Sequence, residues 1–189
     1  GVNTKLKEII GSSKAYEAMN NEQFKSLTTD NLERKNIYIE DNVDKRLISV
    51  DLNKANFNVF GLYGLKEELG IQTYDDFVKL ATPYDYFIKS RMTRQVVFFF
   101  FNPKRQQNIQ KRIINEFSQL LTKNGLSLFS SSSDEIIIDP KGNNDITSAL
   151  VADILKDVPT EKKFFRVEEF SFSKVHPAED VHYYFKTSV

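Results

Sequence analysis

The chain has 189 residues, of which 40% are hydrophobic and 28% charged, a composition typical of a globular domain with its own core. It has no cysteine, which excludes disulfides and thiolate metal sites, and it has no apolar run of about 18 residues, so we expect no membrane partner. The 26 basic and 26 acidic residues give a net charge of zero, so any affinity for a polyanion has to come from a local basic cluster.

The N-terminal part of the chain is polar and helix-prone. A short apolar face formed by Leu6, Ile9 and Ile10 predicts one helix, which a Gly-Ser-Ser sequence then interrupts. We expect residues 1–45 to form a helical arm or a connection, followed by a single domain over 46–189. Because the chain starts without a methionine, we also expect it to work beside other domains of a parent protein.

An apolar strand comes next and is followed by a helical stretch. Residues 47–51 have the pattern of a buried strand, which ends at Asp51. Helical periodicity interrupted by glycines predicts an insertion of short helices over 53–102. Within the insertion we expect one helix over about 83–101. Of the four consecutive phenylalanines 98–101, we expect at least three to lie in the core.

Helices and strands alternate in the second half of the chain. An apolar stripe predicts a helix over 104–123, which Asn124-Gly125 ends. Two hairpin strands, a helix and two further strands follow in that order, over 126–130, 134–139, 145–156, 163–175 and 181–187. With the first strand, the core order is βαββαβ. This order predicts an α+β, ferredoxin-like fold with an antiparallel sheet and helices on one face.

The most unusual residues of the chain lie at the tip of the hairpin. Asp134 and Glu135 follow four serines and precede three isoleucines, where a buried strand begins. Adjacent carboxylates repel each other unless a cation holds them, and Mg²⁺ prefers such oxygen ligands. Because this strand is expected to lie antiparallel to the one that ends at Asp51, the carboxylates of Asp51 and Asp134 should meet at one edge. The alternatives are a solvated turn at 133–135 and an Asp51 that only caps the next helix.

A basic cluster without acidic residues covers 89–112. Its members are Lys89, Arg91, Arg94, Lys104, Arg105, Lys111 and Arg112. Such a cluster on a neutral chain predicts a local contact with a polyanion such as nucleic acid. The four residues from Lys104 to Arg112 are then expected to follow backbone phosphates. The alternative is a solvated helix face.

Three short motifs resemble the palm domain of template-directed nucleic-acid polymerases. Residues 50–57, Val-Asp-Leu-Asn-Lys-Ala-Asn-Phe, are similar to motif A, a strand that ends in a metal-binding aspartate. Residues 94–99, Arg-Gln-Val-Val-Phe-Phe, are similar to motif B, with arginine for lysine. Residues 133–135, Ser-Asp-Glu, resemble the His-Asp-Glu motif C of family A. Motif A is also similar to that of reverse transcriptases, and the aspartate at the tip of motif C is similar to that of family B. The glycine after the motif B aromatic is missing, and Asn56 stands where relatives often carry Glu or Tyr.

The resemblance covers about 47–175 and implies a polymerase that uses two divalent cations, Mg²⁺ or Mn²⁺. It implies that Asp51 and Asp134 bind both ions, that Glu135 assists, and that the Leu52 carbonyl completes one site. Four residues would contact the nucleoside triphosphate or the nascent base pair: Lys89, Arg91, Arg94 and Phe98. The partners would be a primer and template, and residues 53–102 would form a fingers-like insertion in a palm-like domain.

A second class of function fits the same residues. Ferredoxin-like sheets also occur in non-catalytic modules that bind nucleic acid, and a palm can degenerate into a structural domain. Such a domain would keep the fold and the basic cluster and lose the response to a divalent cation.

Overall fold

The structure is a computed structural model that describes residues 1–22, 33–178 and 181–188, with side chains up to residue 173. The described residues divide into two compact units. The first unit contains residues 1–22 and 54–110, and the second contains residues 33–53 and those described after 110. The N-terminal residues therefore group with the stretch that follows the first strand.

The first unit is helical. Two helices come from the N-terminus, α1 (Val2–Gly11) and α2 (Lys14–Asn21). The later helices are α3 (Ala55–Gly61), α4 (Leu65–Leu69), α5 (Tyr74–Lys79), α6 (Asp85–Lys89), α7 (Arg91–Phe99) and the first part of α8 (Pro103–Lys123). Gly64 and Gly70 flank α4 with positive φ angles of 91° and 67°, which glycine adopts without strain.

Aromatic rings fill the centre of the first unit. Phe57, Phe60, Phe77 and Phe98 are each at most 1% exposed. The ring centroids of Phe57 and Phe77 are 5.8 Å apart, those of Phe77 and Phe98 are 6.0 Å apart, and those of Phe98 and Phe60 are 5.6 Å apart. Since each aromatic side chain buries about 150–250 Å², these four rings dominate the packing of α3, α5 and α7.

The single helix predicted over 83–101 is wrong, because the chain forms α6 and α7 and breaks at Ser90. Ser90 has extended backbone angles, φ −72° and ψ 111°, and its hydroxyl accepts a hydrogen bond from the Thr93 N–H at 3.0 Å. A serine in this position caps the helix that follows it and satisfies a free backbone donor. Ser90 therefore starts α7 and does not continue α6.

The prediction for the four phenylalanines is also wrong. Phe98 and Phe101 are 1% and 9% exposed, but Phe99 and Phe100 are 70% and 61% exposed. The exposed ring of Phe100 has the Lys7 ammonium 3.6 Å from its centroid, a cation–π contact within the same unit.

The second unit is built on an antiparallel sheet. Its described strands are β1 (Leu47–Leu52), β2 (Leu128–Ser131), β3 (Glu135–Ile138), β4 (Phe165–Ala178) and β5 (Val181–Ser188), in the spatial order β2-β3-β1-β4-β5. Every neighbouring pair is antiparallel. The second part of α8 and the helix α9 (Ser148–Ile154) complete the unit, with short 3-10 helices at Glu40–Asn42, Leu155–Asp157 and Thr160–Lys162. The fold is therefore α+β.

The register assigns each residue of β1 to one face of the sheet. Residues directly opposite each other in an antiparallel pair share a face, and residues two apart along a strand do so as well. Val50 lies between Ile136 and Val167, and Leu52 lies opposite Phe165. These residues belong to one face, and Leu47, Ser49 and Asp51 belong to the other.

Helices α8 and α9 pack on the Val50 face. The ring of Phe117 on α8 is 5.3 Å from the ring of Phe165. At the N-terminus of α9, the Ser148 N–H donates to Glu169 Oε1 at 2.9 Å, and Glu169 lies opposite Ile48 in the sheet. Both helices therefore cover the same side, and the Asp51 face lies opposite to them.

Most strands predicted for the second unit are confirmed within a few residues. Strand 47–51 is β1, the predicted hairpin is formed by β2 and β3, and Gly125 ends α8 with φ 85°. The helix predicted over 145–156 begins later, at Ser148, because the Thr147 hydroxyl caps it by accepting from the Leu150 N–H at 3.1 Å.

Arg46 joins the start of β1 to the loop before α9. Its guanidinium donates to the carbonyl oxygens of Ile146 at 2.6 Å and of Asn143 at 2.9 Å. The same group lies 3.4 Å from Glu169 Oε1, and the side chains of Arg46 and Glu169 are only 27% and 15% exposed. Little water can therefore reach the two carbonyls and the Glu169 carboxylate to replace these contacts when the guanidinium is removed.

We expect Arg46→Met to lower the free energy of unfolding by about 2–4 kcal/mol, because it leaves two carbonyls and a largely buried carboxylate without their donor. Urea unfolding followed by circular dichroism measures the change. Lys156→Met is the matched control, since its ion pair with Asp153 is 63% and 64% exposed, and it should leave the free energy of unfolding close to that of wild type. Equal losses of stability in the two variants would show that the Arg46 contacts contribute no more than an exposed ion pair.

A capping box begins α5. The Thr73 hydroxyl accepts from the Asp76 N–H at 3.2 Å, and the Asp76 carboxylate accepts from the N–H groups of Gln72 at 3.1 Å and Thr73 at 3.2 Å. The bonds from Gln72 and Thr73 lower the pKa of Asp76 below its usual value of 3.8.

A carboxyl group whose pKa is lowered by folding stabilises the fold above its usual pKa, and this contribution is lost as the pH falls through the folded value. We therefore expect Asp76→Asn to lower the melting temperature at neutral pH and to have little effect well below pH 3.8. Thermal melts of both proteins over that range measure this. A difference that is independent of pH would show that the carboxylate charge is not the cause.

Candidate functional site

Two carboxylates face each other at the end of β1. The register pairs Asp51 with Glu135 on β3 and with Arg166 on β4, so the three side chains start from the same face of the sheet. Asp51 is half-buried, as is Glu135. The sequence pointed to Asp134 as the residue nearest Asp51, but the register sets Glu135 directly opposite and Asp134 one position further along.

The turn between β2 and β3 positions Asp134. The Leu52 N–H donates to the Asp134 carbonyl at 2.9 Å, so the backbone of Asp134 lies beside the last residue of β1. The Ser132 N–H donates to the Glu135 carbonyl at 2.8 Å, and the Ser132 hydroxyl donates to Asp134 Oδ1 at 3.2 Å. These bonds hold the exposed Asp134 carboxylate at the tip. The metal-binding role of the Leu52 carbonyl stays a prediction.

All three residues predicted to be catalytic line one pocket of about 770 Å³. The rest of its lining comes from the tip serines, from β3 and β4, and from the segment that precedes the first strand: Arg34, Lys35, Asn36, Ile37, Tyr38, Ser130, Ser132, Ser133, Ile137 and Phe170. The structure therefore brings Asp51 to the same pocket as Asp134 and Glu135, which lie far from it in the sequence.

The carboxylate of Asp51 makes no ion pair with any residue that the structure describes. Within the described ranges, its carboxylate has no basic group within 4.0 Å and no side-chain hydrogen bond. Its neighbour Arg166 is instead 3.5 Å from Glu168. The N-cap position of α3 is occupied by Lys54 and not by Asp51, which argues against the alternative in which Asp51 caps the following helix.

The Mg²⁺ or Mn²⁺ predicted from the sequence would have few protein ligands in this pocket. Among the residues with described side chains, no group of three or more His, Cys, Asp or Glu residues is arranged to hold a metal ion. Mg²⁺ does not need such a group, because it binds through one or two carboxylates and keeps water or phosphate oxygens in its other positions. Carboxylate oxygens suit Mn²⁺ in the same way.

The predicted nucleotide-binding residues lie in the first unit. Lys89 ends α6 and Arg91 begins α7, and both side chains are exposed. Arg94 is half-buried, with its guanidinium carbon 5.8 Å from the ring centroid of Tyr74. Phe98 is 1% exposed and packs in the aromatic core, so the stacking role predicted for it would require the ring to leave that core.

The four basic residues expected to follow phosphates all lie on α8 but differ in their surroundings. Lys104 is exposed, and Lys111 and Arg112 are half-buried. Arg105 instead donates from Nε to the Met19 carbonyl at 2.5 Å and from Nη2 to the Glu22 carbonyl. Arg105 therefore fastens α8 to the end of α2, a structural role that its place in a basic cluster did not reveal.

The segment before β1 borders the pocket, although its sequence did not predict a place in the site. Ile37 is 7% exposed and belongs to a cluster with Leu47, Ile137, Phe170 and Phe172. Backbone bonds hold the segment to β2: the Ser131 N–H donates to the Glu33 carbonyl and the Lys35 N–H donates to Ser130 Oγ, both at 2.9 Å. The signal in the sequence was the weak alternation of Ile37 and Ile39 with polar residues, which is typical of a short strand.

No protein-family model matches this chain, and a search of curated proteins finds no match to it either. Of the helices in the described part of the chain, none is both long enough and apolar enough to cross a membrane.

Proposed function

We propose that the second unit carries the catalytic site of a template-directed nucleic-acid polymerase of the palm type. The observation that carries the proposal is the convergence of Asp51, Asp134 and Glu135 on one pocket at the ends of β1 and β3. An Asp51 carboxylate without an ionic partner in the described part of the chain supports a role in binding cations.

The topology supports the comparison with a ferredoxin-like palm. The order β2-β3-β1-β4 with antiparallel neighbours is the order expected for a βαββαβ fold, in which the first and third strands lie side by side. The helices α8 and α9 lie on the face opposite Asp51, so neither of these helices covers the acidic residues.

Each carboxylate has a distinct role in the proposed reaction. Asp51 and Asp134 would hold a pair of divalent cations, and Glu135, opposite Asp51 on the same face, would orient the primer end or add a ligand. When bound, such cations would supply the positive charge that favours a nucleophilic primer hydroxyl and that offsets the charge of the departing pyrophosphate. Ser132, which donates to Asp134 Oδ1, keeps that carboxylate turned to one position.

A thermal melt with and without Mg²⁺ or Mn²⁺ tests the site first. A cation that binds only the folded protein stabilises it by about 2.7 kcal/mol at one hundred times its dissociation constant, so the melting temperature should rise. Extension of a labelled primer on DNA and RNA templates then tests the reaction. Absence of any metal-dependent shift, together with absence of extension, would contradict the proposal.

A non-catalytic nucleic-acid-binding module is the second candidate, favoured by the surface of the first unit. Tyr84, Tyr86 and Phe99 are 67%, 75% and 70% exposed, and the cations Lys89 and Arg91 are exposed in the same unit. Exposed aromatic rings beside basic residues bind single strands by stacking and by phosphate contacts. Oligonucleotide binding that falls with salt, without any effect of Mg²⁺ on stability, would favour this candidate.

A further inference from the structure

The ring of Tyr38 lies on the same face of the sheet as Asp51. Phe170 pairs with Leu47, which belongs to the Asp51 face, and Phe172 is two residues further along β4 on that face. The ring centroids of Tyr38 and Phe172 are 5.2 Å apart, at an interplanar angle of 46°. Phe172 is 1% exposed, whereas Tyr38 is 43% exposed and lines the pocket that contains Asp51. Tyr38 is therefore supported by a buried ring and borders the pocket.

Hydrogen bonds on both sides of Tyr38 hold its backbone in place. The Tyr38 N–H donates to Asn36 Oδ1 at 3.0 Å. The Ile37 carbonyl accepts from Asn42 Nδ2 at 3.1 Å and from the Ile39 N–H at 2.9 Å. Asn42 is 3% exposed and Ile37 is 7% exposed, so the core of the second unit anchors this turn. A side chain that is already held in position loses little conformational entropy when a ligand binds.

Two cations border the same pocket. Arg34 and Lys35 line it together with Tyr38, and both side chains are exposed. In the part of the chain that the structure describes, Arg34 has no carboxylate within 4.0 Å, whereas Lys35 lies 3.7 Å from the exposed Glu33. An exposed ion pair of this kind contributes little to stability. Either cation can therefore turn towards an anionic ligand at small cost.

We propose that Tyr38, Arg34 and Lys35 bind single-stranded nucleic acid, with one base stacked on the Tyr38 ring and phosphates in contact with the two cations. An exposed ring beside basic residues is the arrangement by which proteins bind single strands, and it accepts any base because every base has a π-face. The proposal rests on the proposed polymerase function, which requires a strand in this pocket, and it assigns the strand to residues outside the three palm-like motifs.

The dimensions of the sheet indicate how much of a strand the site holds. Arg166 pairs with Asp51, and Phe170 lies four residues further along β4. At about 3.3–3.4 Å per residue, these two positions are about 13 Å apart. A strand of several nucleotides spans this distance, so the base on Tyr38 belongs to a different nucleotide from the one at Asp51. The expected ligand is therefore an oligonucleotide.

Five variants separate the ring from the charges. Tyr38→Leu removes the π-face and keeps an apolar contact with Phe172, whereas Tyr38→Phe keeps the ring. Arg34→Gln removes one exposed cation. Its matched control is Lys123→Gln, because Lys123 is exposed at the end of α8, which packs on the other face of the sheet. Tyr84→Leu is the control for the ring, since Tyr84 is 67% exposed and lies in the first unit.

The test is fluorescence anisotropy of a labelled single-stranded oligothymidine with the whole chain, without divalent cations. We expect Tyr38→Leu to weaken binding about fivefold or more and Tyr38→Phe to leave it within twofold of wild type. Arg34→Gln should weaken binding severalfold and reduce its salt dependence by about one phosphate contact. Both controls should bind within twofold of wild type. Under ultraviolet light, an oligonucleotide that contains iodouracil should crosslink to Tyr38, which a purely structural role does not produce.

Three results would overturn the proposal. The first is a Tyr38→Leu affinity within twofold of wild type. The second is an equal loss in Tyr38→Phe, which would show that the hydroxyl and not the ring is needed. The third is a loss in Tyr84→Leu without one in Tyr38→Leu, which would assign the strand to the first unit. If Tyr38→Leu lowers stability, Arg34→Gln and the crosslink still decide the question. Binding that needs Tyr38 in a protein without primer extension would support this site and contradict only the catalytic proposal.

Discussion

Asp51→Asn is expected to abolish primer extension, with a fall in rate of about 10²–10³-fold or more, because the variant removes a charge that the reaction needs. Asparagine has nearly the same shape as aspartate, and Asp51 has no ion pair in the described residues, so the sheet should not change. The same variant should also lose the rise in melting temperature caused by Mg²⁺. Loss of both effects in a folded protein would separate a chemical role from a structural one.

Asp139→Asn is the matched control for this variant. Asp139 follows β3 at the opposite end from Glu135, is half-buried, and accepts a hydrogen bond from the Lys141 N–H at 2.8 Å. The amide oxygen of asparagine can accept the same bond, so extension and the metal response should stay within twofold of wild type. An Asp51→Asn protein that keeps more than about a tenth of the extension rate would end the catalytic role of Asp51.

The strands of the second unit could be predicted from the sequence because each is marked by a local pattern of apolar and turn residues. The three isoleucines after Glu135 form a short apolar run that is buried on both faces, and β1 has the same character. Turn residues and Gly125 mark where the elements change. The order of these elements then predicts which strands pair, since an antiparallel βαββαβ sheet has few possible arrangements.

The residue opposite Asp51 could not be predicted from the sequence, because the register of two strands depends on side chains that meet across the sheet. A shift of one residue between β1 and β3 would exchange Asp134 for Glu135 opposite Asp51, and the local pattern does not distinguish the two. The sequence therefore predicts that the acidic residues lie at one edge of the sheet. It does not predict which of Asp134 and Glu135 lies directly opposite Asp51.

The first unit was the least predictable part. Its N-terminal helices pack with residues 54–110 through contacts between distant positions, such as the ring of Tyr16 on α2 against Phe60 on α3 and Phe101. Local periodicity carries no information about such contacts. The contact of Arg94 with the Tyr74 ring was hidden for the same reason, since the two residues lie on separate helices.

Phe170→Ala is expected to lower the free energy of unfolding of the second unit by about 3–5 kcal/mol. Phe170 is 0% exposed and packs with Ile37, Leu47, Ile137 and Phe172, so alanine leaves a cavity at the centre of that cluster. Small domains have a total stability of about 5–15 kcal/mol, so the loss removes a large share of it.

The cavity should also affect the pocket, because Phe170 and Ile37 both line it. With Phe170 truncated, Ile37 loses a neighbour that helps to hold the segment before β1 against the sheet. Urea unfolding measures the stability loss, and limited proteolysis near residues 34–38 measures the release of this segment. Phe170→Leu is the control, since it keeps most of the volume and should cost about 1–2 kcal/mol with no new cleavage. A Phe170→Ala protein that loses less than about 1 kcal/mol would show that this ring does not hold the face together.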